Sequence, residues 1–325
     1  MITTKEKIIE YLKKRTQSSA KELRDYLEIS NQALYKHIAK LLFENKISKF
    51  GTAPKVVYAI QNELKLNDDK FIFDKDLKKQ IENNFFMISP IGERKEGING
   101  FIYWCNKNKQ NVLKTAKEYV STLLKYNNFK KDGFIDGSQK MKNTFKILYL
   151  DKIFYLDFYS IERFGKTKLG QMLLYAKQSQ NRILIKELVS FVQPQIIKIL
   201  KKFNIEAIVF VPPTVKREIQ FMKEFEKYLN LDLPKINIVK IRGEFAVPQK
   251  TLNKLEDRVE NADKTFVVNS QKNYKNILII DDAIGSGATL NEIAKKIKHQ
   301  NICKGQIIGL SITGSFKGFD VISEV

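Results

Sequence analysis

The sequence predicts an α/β protein in three parts. These are a small helical domain closed by two short strands (1–62), a mainly helical middle (63–171), and a C-terminal domain built on a parallel sheet (172–325). Three observations lead there. Residues 1–60 read as helix, helix–turn–helix, and two short apolar strands around a Gly51–Pro54 turn. Ala207–Val211 and Ile277–Ile280 are unbroken apolar runs, each followed by a loop and an amphipathic helix, the pattern of parallel strands buried on both faces. A length of 325 residues corresponds to two or three domains at roughly 100–200 residues each.

Composition excludes several classes. Hydrophobic residues at 43% and charged residues at 29% are ordinary globular values, unlike a disordered tail or a collagen. No 18-residue apolar run occurs, and the polar, helix-like opening from Met1 to Lys14 is not expected to be a signal peptide. Two cysteines, Cys105 and Cys303, supply neither a disulfide scaffold nor a four-thiolate zinc site. A soluble cytoplasmic protein with no membrane partner is expected.

The net charge of +21 is less informative than its size suggests. It is spread as +6, +9 and +6 over residues 1–62, 63–189 and 190–325. It comes from 49 Lys and only 8 Arg, a balance that an AT-rich coding background also produces. Arg is the side chain suited to bidentate phosphate and guanine contacts. The charge alone therefore locates no nucleic-acid surface.

In the first domain, Ile8, Ile9 and Leu12 form the apolar stripe of a helix over Lys5–Arg15. Ser18 or Ser19 is placed to cap a second helix that buries Ala20, Leu23 and Leu27. Ile29-Ser30 makes the turn, and Ser30 caps a third helix from Asn31 to about Glu44 with Leu34, Ile38, Leu41 and Leu42 inward. The strands are Lys46–Gly51 and Lys55–Ile60. This order resembles winged-helix DNA-binding domains. The resemblance implies a third helix in the major groove, with Asn31, Gln32, Tyr35 and Lys36 near base edges and Lys40, Lys49 and Lys55 on phosphates. DNA or RNA is the implied partner; use of the domain for protein contacts in a homo-oligomer is the alternative.

Residues 61–70 read as a linker, and Leu77–Phe85, Gln110–Tyr126 and Lys168–Gln180 have helical patterns. Phe145–Ser160 is read as a strand pair turning at Asp151-Lys152, Asp132-Gly133 and Asp136-Gly137 as a loop, and Trp104 as a core residue. None of this indicates a function.

The chemistry is concentrated in Ile277–Leu290. A buried strand runs into Asp281 and Asp282, then through Ala283 and Ile284 into Gly285-Ser286-Gly287-Ala288-Thr289 and a helix with Ile293, Ala294 and Ile297 inward. Strand, glycine loop and helix N-terminus make an anion cradle of backbone N–H groups. A P-loop would end in Lys-Ser/Thr, and a dinucleotide fingerprint needs a third glycine; neither is present. Two acids would repel a pyrophosphate there but suit the adjacent hydroxyls of a sugar, each charge-assisted hydrogen bond contributing about 1.5–3 kcal/mol. A ribose 5-phosphate uses both halves.

Asp281–Thr289 resembles the 5-phosphoribosyl diphosphate (PRPP) loop of type I phosphoribosyltransferases, with Gly285 in place of the usual Thr or Ser. The resemblance implies that Asp281 and Asp282 hold the ribose hydroxyls and residues 285–289 the 5-phosphate. Ala207–Pro213 followed by Thr214–Arg217, then Gln249–Leu252, Arg258–Asn261 and Phe266, are spaced as in the ComF-type branch of the family, over about residues 172–325. By the same resemblance, Lys216 and Arg217 receive the pyrophosphate with Mg²⁺, and Gln249, Arg258 and Asn261 belong to a mobile hood. The four-cysteine zinc motif usual in ComF proteins is absent.

The implied function is transfer of ribose 5-phosphate to an unknown acceptor with release of pyrophosphate. Mg²⁺ would be bound through PRPP, with no direct protein cage. The alternatives are a non-catalytic PRPP-sensing transcription regulator and an effector of a bacterial retron-type antiphage system.

Overall fold

The computed structural model describes residues 2–51, 53–61, 71–213, 215, 217–241, 244–245 and 247–316. The linker read at 61–70 lies outside them except for Gln61. The chain divides into two compact units, Met1–Asn67 and Asp68–Val325.

The first unit contains α1 (Thr4–Arg15), β1 (Gln17–Ser19), α2 (Ala20–Leu27), α3 (Asn31–Phe43), β2 (Ile47–Phe50) and β3 (Val57–Ile60). Local chemistry sets the helix starts. Thr3 with Glu6, and Ser19 with Glu22, form reciprocal capping boxes, and the Ser30 hydroxyl accepts from the Ala33 N–H at 3.2 Å. Ile8, Leu12, Leu23, Leu34, Ile38, Leu41, Ile47 and Tyr58 close the core. The two-stranded wing expected from sequence is a three-stranded antiparallel sheet in the order β1-β3-β2. The added strand, Gln17–Ser19, is polar and carries no apolar alternation that would reveal it.

The second unit runs α4 (Lys75–Asn84), β4 (Phe86–Ile88), β5 (Arg94–Glu96), α5 (Gly97–Lys107), α6 (Val112–Asn127), β6 (Lys130–Lys131), β7 (Phe134–Asp136), α7 (Ser138–Thr144) and β8 (Lys152–Phe158). It continues through β9 (Ser160–Ile161), β10 (Gly165–Lys166), α8 (Lys168–Ser179), α9 (Arg182–Lys202), β11 (Ala207–Phe210), α10 (Phe221–Leu229) and β12 (Asn237–Lys240). The last elements are α11 (Leu255–Thr265), β13 (Phe266–Asn269), β14 (Ile277–Ile284), α12 (Ala288–His299) and β15 (Ile307–Gly314). The central sheet has the order β11-β14-β15-β8-β7-β6; its first four strands are parallel, and β7 and β6 complete it antiparallel.

Strand alternation sorts the two cores. Ile208, Leu278, Ile280, Ile308 and Leu310 pack with α8, α9 and α10 on one face. Val209, Ile277, Ile279, Ile307 and Ile153 pack with Ala262 of α11 and with Leu290, Ile293, Ala294 and Ile297 of α12 on the other. Ile277–Ile280 are fully buried, as their unbroken apolar run requires.

The middle region, which the sequence left open to packing with the C-terminal domain, shares the central sheet with it. Position 172 falls inside α8, and β8, from the middle third, pairs with β15 in the central sheet. Residues 71–171 thus contribute strands as well as helices. The expected strand pair over Phe145–Ser160 is one strand, β8. Residues 147–149 instead cross to α12, where the buried Asn291 side chain accepts from the Tyr149 N–H at 2.8 Å and donates to the Ile147 carbonyl at 3.1 Å. Trp104 is half-buried against Phe101 and Phe164, the packing role expected of it.

The start of α8 is clamped to the end of β8. The Thr167 hydroxyl donates to the Phe158 carbonyl at 2.7 Å and accepts from the Gly170 N–H at 3.0 Å. A Cβ at Gly170 would lie 2.1 Å from the Tyr159 carbonyl oxygen. Gly170→Ala is therefore expected to destabilise the second unit by about 1–3 kcal/mol through overpacking against backbone. A lowered denaturant midpoint at unchanged slope checks this, and an unchanged midpoint contradicts it.

Candidate functional site

A cleft of about 250 Å³ opens where β11 and β14 end. Its walls come from Val211–Pro213, the Asp281–Leu290 segment, Gln249 and Arg258 of the hood region, and Lys177 of α8. Ligands of parallel sheets bind at the carboxyl ends of the strands, and this cleft is in that place.

Asp281 and Asp282 continue β14 beyond its buried core. The Asp282 N–H donates to Asp281 Oδ1 at 2.8 Å, and Lys177 Nζ lies 2.8 Å from Asp282 Oδ2. Burial at the cleft floor, reinforced by the Asp282 charge, pushes the Asp281 carboxyl up to about 7.

The loop after the acids turns into α12 at Gly287, whose φ of 79° is left-handed. A Cβ there would also meet Met141 Sδ at 2.4 Å, so any other residue is strained and must displace the Met141 side chain. The Ser286 hydroxyl accepts from the Ala288 N–H at 3.3 Å, and the first-turn amides of α12 have no intrahelical carbonyl to bond. Ser286, Gly287 and Ala288 are buried, and Gly285 and Thr289 are half-buried; all five line the cleft.

Arg258 supplies a cation to this loop. It is only 5% exposed, and its Nε–H donates to the Leu252 carbonyl at 2.7 Å. A Cβ built on Gly285 would stand 3.6 Å from Nη1, and the buried Nη2 makes no hydrogen bond among the described residues. Burial lowers its pKa, marking a cation out of water without a carboxylate to balance it. An anion at residues 285–289 would supply that balance.

The other hood residues have supporting roles. Gln249 Nε2 donates to the Arg258 carbonyl and to Asn261 Oδ1, both at 3.0 Å, which braces the first turns of α11. Gln249 lines the cleft, but Asn261 lines a separate hollow with Ile241, Phe245 and Leu252. Arg217 lines the cleft and its guanidinium donates to the Lys177 carbonyl; Lys216 lies outside the described residues. Lys177 and Met141 are the site residues that sequence reasoning missed. Each stands in an ordinary helical pattern far from the loop in sequence, so no local signal marks either.

In the first unit, Asn31, Gln32, Tyr35, Lys36 and Lys40 are exposed on α3, and Lys49 and Lys55 are exposed at the β2–β3 hairpin. Phe43, on the last turn of α3, is 88% exposed and was not singled out from sequence.

The raised Asp281 pKa makes a stability prediction of definite sign. The native state retains a proton on this carboxyl that the unfolded state, near 3.8, has lost, so stability declines as pH rises from about 4 to about 7. Asp281→Asn should raise the Tm at pH 8 and leave it little changed at pH 4. A lower Tm at pH 8 contradicts the assigned environment. Gly287→Ala should disrupt the loop, its left-handed strain of about 1–2 kcal/mol adding to the Met141 clash.

Residues 4–48 match a family described as an HTH domain. A stretch of 84 residues, 25% of this chain, is 32% identical to Competence protein F of Haemophilus influenzae and spans 36% of that protein. A hypoxanthine phosphoribosyltransferase from Staphylococcus aureus overlaps 41% of this chain and 65% of its own, at 13% identity and a TM-score of 0.25, below the level of a shared fold. No helix among the described residues is long and apolar enough to cross a membrane. The chain thus joins an N-terminal helix–turn–helix domain to a mixed α/β unit with a largely parallel sheet, and it is similar over part of its length to Competence protein F.

Proposed function

We propose that the second unit binds PRPP and transfers its ribose 5-phosphate to an acceptor, and that the helix–turn–helix unit brings this chemistry to a nucleic acid. The observation that carries the reading is the pairing, in one cleft, of two adjacent carboxylates with a glycine loop backed by the unbalanced guanidinium of Arg258. Vicinal hydroxyls donate to Asp281 and Asp282. The 5-phosphate takes the amides of 285–289 and Arg258, which satisfies the buried Nη2. Similarity to Competence protein F supports a phosphoribosyltransferase-type fold for this unit but does not identify the acceptor.

In the reaction, an acceptor lone pair forms the new bond at ribose C1 while the C1–O bond to diphosphate breaks and its electrons leave with the diphosphate. Charge on C1 develops as in glycoside hydrolysis. The residues present need only orient the sugar, and fixed geometry of this kind is a large part of catalysis. Arg217, beside the loop after β11, is placed for the leaving diphosphate. Mg²⁺ bound with the diphosphate would neutralise its charge.

The helix–turn–helix unit favours a second reading, a PRPP sensor that regulates transcription without turnover. Pyrophosphate release from labelled PRPP with candidate acceptors separates the two; binding without release selects the sensor.

Calorimetry with PRPP·Mg²⁺ is expected to show binding that Arg258→Ala weakens by about 10- to 100-fold, the range of one charge-assisted contact. Asp281→Asn with Asp282→Asn should weaken it at least as much, and an unchanged affinity in both variants refutes the reading. For the first unit, Lys36→Ala/Lys40→Ala should weaken nucleic-acid binding and reduce its salt slope by about 1, the share of the Lys40 phosphate contact, measured by a salt-titrated shift assay. An unchanged slope removes α3 as the contact surface.

A further inference from the structure

The sugar-binding role rests on ionised carboxylates, because a hydroxyl donates to a carboxylate and competes with the proton of a carboxylic acid. Two acids side by side on a cleft floor resist double ionisation. The structure contains a counter-charge that no sequence motif indicated.

Lys177 stands on the last turn of α8, and the backbone there is tied down independently of its side chain. Its carbonyl accepts from Arg217, and Gln180 Oε1 accepts from the Ile219 N–H at 2.7 Å. At the other end of the helix, Thr167 and Gly170 hold α8 to β8. The ammonium is therefore not needed to hold the helix in place. It reaches into the cleft, 2.8 Å from Asp282 Oδ2, with the two side chains 18% and 21% exposed.

We propose that Lys177 is a positioning residue of the sugar site. Its ammonium sets a positive charge against Asp282 and offsets the repulsion between the two adjacent acids, so that both accept the hydroxyls of one vicinal diol. An opposite charge this close favours the ionised form of a carboxylate by roughly 1–3 pH units, and the effect strengthens where water is sparse. Lys177 and Lys240 both oppose the upward push that burial and Asp282 exert on Asp281. Of the other described cations lining the cleft, Arg217 donates to the Lys177 carbonyl and Arg258 stands beside Gly285 with its Nε–H on the Leu252 carbonyl, so neither is placed against the acid pair as Lys177 is.

The test uses the full chain as wild type, Lys177→Met and Lys177→Arg, each first shown by its Tm to be folded. Carbon-detected NMR of the aspartate carboxyls follows the acid pair without ligand, and PRPP·Mg²⁺ calorimetry is run from pH 5.5 to 9. In Lys177→Met the upper midpoint of the pair should rise by about one pH unit or more. PRPP affinity should then fall on the order of fivefold beyond any uniform loss at pH 7 and recover by pH 9. Lys177→Arg should restore both. An unchanged midpoint, or an affinity lowered by one factor at every pH, overturns the proposal. The inference rests on the sugar-phosphate reading, and the two can fail separately. A shifted midpoint in a protein that never binds PRPP defeats that reading alone, and an unshifted midpoint with intact PRPP binding defeats Lys177 alone.

Discussion

Two carboxylates at the end of a fully buried strand are the constraint on which the second unit turns. Ile277–Ile280 must be covered on both faces, which requires helices on both sides of the sheet. Once that is done, the chain emerges at Asp281 and Asp282 with little room to separate them, and their charges must be managed within the cleft. Lys177 reaches in from a helix of one face, while Arg258 of α11 and the loop leading into α12 line the cleft from the other. The result is a cleft with two acids in its lining and the buried Arg258 guanidinium beside its glycine loop. That division of charge suits a ligand with hydroxyls at one end and phosphate at the other.

The parts legible in sequence were those with short-range causes. The caps at Ser19 and Ser30, the apolar stripe of α3, the buried β14 and the glycine turn at Gly287 all follow from neighbours within a few residues. Asp281, Asp282 and residues 285–289 line one cleft. What could not be read depends on distant pairing. The β8 strand looked like half of a hairpin within 145–160, whereas it pairs with β7 before it and with β15 more than a hundred residues later. Its neighbour segment stays out of the sheet because Asn291, on α12, takes its backbone groups. Lys177 and Met141 are ordinary residues of amphipathic helices until the fold brings them to the loop. Of the three residues assigned to the hood, Gln249 and Asn261 bond to each other, while Arg258 presents a buried Nη2 with no hydrogen bond among the described residues.

The +21 charge takes a narrower meaning in this light. Much of it is exposed lysine, which screens readily and specifies little. The informative cations are the few that structure isolates: Arg258 out of water without a partner for Nη2, and Lys177 against Asp282. In the helix–turn–helix unit, Lys36 and Lys40 matter because α3 presents them together with Asn31, Gln32 and Tyr35 on one exposed face.

The most direct measurement of the central claim is a crystal structure with PRPP and Mg²⁺ present. The account predicts the 5-phosphate on the amides of Gly285–Thr289 within hydrogen-bond distance of the Arg258 guanidinium, and the ribose hydroxyls on Asp281 and Asp282. A phosphate bound elsewhere in the cleft with Arg258 still unpartnered, or ribose hydroxyls facing away from both acids, would contradict it.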